Sequence, residues 1–183
     1  MVLPAVLGPD DLPLAERMAA RLDGELFALA TAHCPVDAVE TPALRLAAAL
    51  AGRTSRYIAE LGTAAWVWGA RLDPPDTLEL CVELGARARP SSAPHVTVRE
   101  LALADHEIWQ LDGRRITSPV RTAVDLARSR DEFSALDADS VRELSRLSRF
   151  GLAECLAAMD TRRNLPDKRR AAERLRAALS PRR

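Results

Sequence analysis

A chain of 183 residues that is 48% hydrophobic can fill one domain-sized core, but at 4% aromatic that core must be built mainly from Ala, Leu and Val. Lys and Arg number 26 and Asp and Glu 26, so the overall balance gives no electrostatic reason to expect nucleic acid or an acidic membrane. No apolar run approaches the roughly 20 residues of a membrane span, and the start of the chain lacks an export leader pattern.

In chain order, Asp10 or Asp11 caps a helix expected to run through Pro13 to about Ala30, with Leu14, Met18, Leu22, Leu26 and Leu29 on one stripe. His33-Cys34-Pro35-Val36-Asp37 breaks it. Thr41-Pro42 is a cap followed by a helix-entry proline, opening a second helix that ends near Gly52. Ala64 to Trp68 forms a short helical turn, stopped by Gly69. The period then changes. Residues 77–84 alternate as a strand, His95 to Arg99 reads as a second, and 107–111 and 114–117 flank the hairpin dipeptide Asp112-Gly113. From Ser118 onward the pattern is helical, broken near Asp131, Gly151 and Pro166. The order implies an α+β fold. A small, mainly antiparallel sheet of about residues 77–117 is flanked by N-terminal helices and a C-terminal helical bundle. Residues 1–40 read as a helical extension and 41–183 as the domain proper.

The stretch Thr117 to Arg128 is the most informative. Ser118 is a good N-cap, Pro119 suits the first helical position, and Val120, Val124 and Ala127 recur on one face. Arg121 and Asp125 stand four apart and make a structural ion pair, with Thr122 between them.

Catalytic constellations are not found. Asp73, Asp76, Glu79 and Glu83 crowd one strand, as a metal-dependent nuclease would require, but the chain's single lysine, Lys168, is remote. A solvated strand face is the simpler reading. His33, Cys34, His95 and His106 lack metal-ligand spacing, and neither a phosphate loop nor a nucleophile elbow is present. We expect no enzyme activity, no metal and no cofactor. Cys34, Cys81 and Cys155 are odd in number and scattered, which suits reduced thiols in a cytoplasm.

Two features point to partners. Trp66 and Trp68, two apart on a short helix, point in different directions. Either both are partly buried at a sheet edge, or one is an exposed anchor for a protein partner. The tail carries Arg162, Arg163, Lys168, Arg169, Arg170, Arg174, Arg176, Arg182 and Arg183 against Asp167 and Glu173. It is either a docked helix with a solvated face or a site for an acidic partner or a nucleic-acid backbone.

Three landmarks in order resemble the C-terminal domain of AbiEi-family antitoxins of bacteria. They are Thr63-Ala64-Ala65-Trp66-Val67-Trp68-Gly69 followed by Pro74-Pro75, the strand block containing His95-Val96-Thr97-Val98, and Thr117-Ser118-Pro119-x-Arg121-Thr122-x-x-Asp125-Leu126-Ala127. The usual N-terminal winged helix is not recognised in residues 1–40, and neither is a Vsr-like nuclease segment after the last helices. The resemblance implies a non-enzymatic antitoxin whose partner is a nucleotidyltransferase-like toxin. A DNA-binding regulator using the arginine-rich tail is the alternative.

Overall fold

The structure is a computed structural model, and it describes residues 4–86, 95–162 and 165–180. The first helix, α1 (Leu14–Leu22), is shorter than its apolar period implied. It stops at Asp23, and Gly24, at a φ of 78°, turns the chain into an antiparallel hairpin of β1 (Leu26–Leu29) and β2 (Ala32–Pro35). The stripe Leu14, Met18, Leu22 faces outward, with Leu22 86% exposed, while Arg17 turns inward. Its Nε donates to Leu12 O at 3.0 Å and its Nη1 lies 3.3 Å from His33 Nδ1 on β2. The guanidinium only donates, so His33 Nδ1 accepts and the ring is neutral. Burial, then Arg17 and Arg21, lowers the His33 pKa, in the same direction.

Leu29, Ala32 and Cys34 of the hairpin enter the main apolar cluster, together with Leu46 of α2 (Pro42–Ala49). Thr41 Oγ1 accepts from Leu44 N at 3.2 Å and caps α2, with Pro42 at its first turn. Beyond it lies a five-stranded sheet ordered β5-β4-β3-β7-β6. Its members are β3 (Ile58–Ala59), β4 (Leu78–Glu83), β5 (Val96–Leu101), β6 (Ile108–Leu111) and β7 (Arg114–Thr117). The fold is α+β, but the sheet is mixed rather than mainly antiparallel. β3 runs antiparallel to β4 and parallel to β7, and β4 runs parallel to β5. Part of the cause is β3, a two-residue strand too short to show a period, which joins residues 58–59 to 115–116 in the middle of the sheet; the other part is the parallel run of β5 beside β4.

Between sheet and bundle lies α3 (Leu61–Val67), whose seven residues are all buried. Small side chains allow this: Gly62, Thr63, Ala64 and Ala65 let the helix sit close to its neighbours. A Cβ on Gly62 would meet Arg71 Nη1 and Glu79 Oε2 at 2.7 Å, so a larger residue would have to push these two side-chain ends aside. The bundle comprises α4 (Pro119–Ser129), α5 (Ala135–Ser148), α6 (Leu152–Asp160) and α7 (Lys168–Leu179). α4 is its centre, touching α3, α5, α6 and α7. Leu126, Leu144, Met159 and Leu175 are fully buried there and form a second apolar cluster. No helix among the described residues is long and apolar enough to cross a membrane.

Candidate functional site

The corner from β7 into α4 is held by short-range bonds and then by buried charge. Ser118 Oγ accepts from Arg121 N at 3.3 Å, a cap of the kind that contributes about 1 kcal/mol. The Thr122 hydroxyl donates to Ser118 O at 2.9 Å and lies 2.8 Å from Thr117 Oγ1, tying the strand end to the first helical turn. Arg121, 5% exposed, places Nε 2.6 Å from Asp125 Oδ2 and Nη1 2.8 Å from Glu107 Oε2. Asp125 Oδ1 also takes Arg128 Nη2 at 3.0 Å, and Glu107 is paired with Arg162. Burial opposes the Arg121 charge, but Asp125 and Glu107 more than offset it and raise its pKa. The Arg121–Asp125 pair therefore sits in a buried network, where removing one partner strands a charge.

A second network lies across α3. Glu60, 1% exposed, is held by Arg99 through two bonds at 2.8 and 2.6 Å. Glu79 is clamped by Arg130 at 2.5 and 2.8 Å and accepts from Gly62 N at 2.8 Å. Arg71 joins Asp137 at 2.7 Å and Ser140 Oγ at 2.8 Å. Of the four carboxylates near β4, Glu79 is taken by Arg130 and Glu83 by Arg115, while Asp73 and Asp76 are exposed before the strand. Among the described residues no group of three or more His, Cys, Asp or Glu side chains is arranged to hold a metal ion. His33 and Cys34 are buried in the N-terminal hairpin, whereas His95 and His106 are exposed at the start of β5 and before β6. All three cysteines are free and buried.

The two motif tryptophans part company. Trp66 is fully buried, with Arg45 5.5 Å above its ring, and presents no surface. Trp68, half-buried, donates from Nε1 to Thr117 O at 3.0 Å and meets Trp109 edge-on at 5.5 Å and 86°. Trp109, on β6, is 49% exposed. Sequence reasoning passed over it, although alternation along the Asp112-Gly113 hairpin puts it on one face with Leu111. Beside it opens a cleft of about 280 Å³ lined by Pro119, Val120, Phe150 and Ala158, with His106 at its edge.

The basic residues of the tail are largely engaged within the fold. Arg174 donates to Ala127 O, Arg130 O and Asp131 O at 3.0, 2.7 and 2.9 Å, closing the C-terminal end of α4. Arg170 reaches Arg128 O at 3.2 Å, Lys168 pairs with Asp160 at 2.5 Å, and Arg162 bonds to Ala102 O at 2.8 Å besides its Glu107 pair. Arg169, 95% exposed at its side chain and 3.3 Å from Glu173, and Arg176 project into solvent. Arg163, Arg182 and Arg183 lie outside the described residues.

A family profile described as the AbiEi antitoxin C-terminal domain matches residues 57–178. The chain belongs to the AbiEi antitoxin family. The matched AbiEi segment takes in β3, α3, the rest of the sheet and most of the bundle, including both ion networks. The crystal structure of the RV2827C protein from Mycobacterium tuberculosis shares the fold with a TM-score of 0.52 and 20% identity. That alignment covers 96% of this AbiEi chain and 72% of the other. No curated protein sequence matches.

Proposed function

We propose that this chain neutralises a nucleotidyltransferase-like toxin by binding a protein partner, without catalysing a reaction. The carrying observation is the AbiEi antitoxin match over residues 57–178, which supports an antitoxin-like role. The side chains give the reading a physical basis. The carboxylates inside the domain (Glu60, Glu79, Glu107, Asp125 and Asp137) are each bound to arginine and serve as structural groups. Co-expression with a nucleotidyltransferase-like toxin is the test. Restored growth is expected, and unrelieved arrest would remove the reading.

A second reading is transcriptional regulation through DNA, favoured by the exposure of Arg169 and Arg176 on α7. Counterion release then makes the affinity fall steeply with salt. An unshifted promoter fragment at low salt would remove it.

A further inference from the structure

Three residues of α4 share one face: Arg121, Asp125 and Arg128, at the spacing of successive helical turns. Glu107, from the short turn before β6, and Arg162, just beyond α6, close over that face. Between them lies a cavity of about 10 Å³, with Val124 and Ala158 among its remaining walls. On that measure it holds a single guest of about the size of a water molecule. The walls do not balance in charge. Arg121, Arg128 and Arg162 each bring a positive charge, and only Asp125 and Glu107 oppose them.

The hydrogen bonds are unbalanced in the same sense. Asp125 commits Oδ2 to Arg121 Nε at 2.6 Å and Oδ1 to Arg128 Nη2 at 3.0 Å. Glu107 Oε2 accepts from Ala104 N at 2.9 Å and from Arg162 Nη2. Arg121 Nη1 lies 2.8 Å from that same oxygen, but neither of its hydrogens is directed at it. Arg128 Nε likewise has no acceptor among the described residues. Both nitrogens are buried. A buried donor without an acceptor destabilises a fold more than an average hydrogen bond stabilises it.

We propose that this cavity is a binding site for one small monovalent anion of halide size, held by Arg121 Nη1 and Arg128 Nε. Such an ion gives both donors an acceptor and cancels the surplus positive charge. A water molecule would accept from both, but it would add two O–H donors where acceptors are short and leave the charge in place. Phosphate, sulfate and organic carboxylates are too large for a space of this volume. A halide is only slightly larger than water, and Arg162, the most exposed of the three arginines, lies on the side that can yield to it. The ion joins α4 to the turn before β6 and to the end of α6, so its binding is linked to folding. The site stands independently of the antitoxin reading.

The test follows thermal unfolding of the full chain in sodium chloride or bromide, and in sodium gluconate at equal ionic strength so that screening is the same. Gluconate is too large for the cavity. A saturable, halide-dependent rise in melting temperature is expected, roughly 3–6 °C at ten times the dissociation constant. Arg128→Met keeps the apolar stem and removes Nε, and it should abolish the rise. Arg169→Met on α7 should leave it intact. Crystals soaked in bromide should show an anomalous peak within hydrogen-bond reach of Arg121 Nη1 and Arg128 Nε. Should Arg128→Met fail to fold, the bromide peak and the saturable rise of the wild type carry the result. Equal melting temperatures in halide and gluconate would overturn the site. So would an ordered water in place of the bromide. A bromide peak with the same rise in Arg128→Met would mean an adventitious ion only, and would overturn it too.

Discussion

The Trp68 indole N–H donates to the Thr117 carbonyl at 3.0 Å, joining two segments 49 residues apart. Through this bond the C-cap residue of α3 is fixed to the residue that ends β7, immediately before the Ser118 cap of α4. The two most distinctive stretches of the sequence are thus one structural unit, and Trp109 is seated on its outer side.

Replacing that indole gives a first expectation. Trp68→Phe keeps an aromatic ring but removes the donor, and should cost about 1–2 kcal/mol in urea unfolding. Unchanged stability would mean that the Thr117 carbonyl needs only the Thr122 hydroxyl, which lies 3.2 Å from it.

Arg121 should matter far more than the arginines of α7. Arg121→Ala leaves Glu107 and Asp125 buried with one guanidinium fewer, and a broken buried pair costs about 3–5 kcal/mol. Arg169→Ala removes an exposed pair and should leave the melting temperature unmoved. Equal effects for the two variants would contradict the buried-network account.

The N-terminal hairpin should loosen in mild acid. The His33 pKa is lowered from its ordinary 6.5, chiefly by burial and then by Arg17 and Arg21, so the unfolded chain binds the proton more readily. Its contribution is full above 6.5 and is lost as pH falls below it. His33→Gln keeps an acceptor for Arg17 and does not titrate. Its stability relative to wild type should therefore rise as pH drops from about 7.5 to 5.5. Parallel stability profiles would exclude the role.

The thiols should be silent until the chain unfolds. Burial raises Cys34 to about 11 and Cys155 to about 12, and Cys81 higher still, with Glu40, Glu154 and Glu60 adding to the respective shifts. An aromatic disulfide reagent at pH 8 should find no reactive thiol in the native protein and three in denaturant. A fast-reacting native thiol would contradict the packing around it.

Local chemistry carried the reading of the sequence further than periodicity did. The Ser118-Pro119 corner was readable because capping depends on four adjacent residues, and the Asp112-Gly113 hairpin because the turn needs positive φ at both, which they have at 48° and 74°. The stripe from Leu14 to Leu29 misled because its first three members face solvent and the last two lie in a strand. Gly24 was the available signal for that break. The parallel pairing of β3 with β7 spans 57 residues and leaves no local trace. At the candidate site the paired tryptophans drew attention to Trp66, which is buried, while Trp109 went unnoticed in an ordinary strand. Exposure at a sheet edge is decided by strand order, which alternation along one strand does not reveal.

The central claim, neutralisation by direct contact, is tested most directly by titrating the purified chain into a purified nucleotidyltransferase-like toxin and following the heat of binding. The account predicts a saturable complex of fixed stoichiometry. Absence of any complex at concentrations at which the chain restores growth would contradict it.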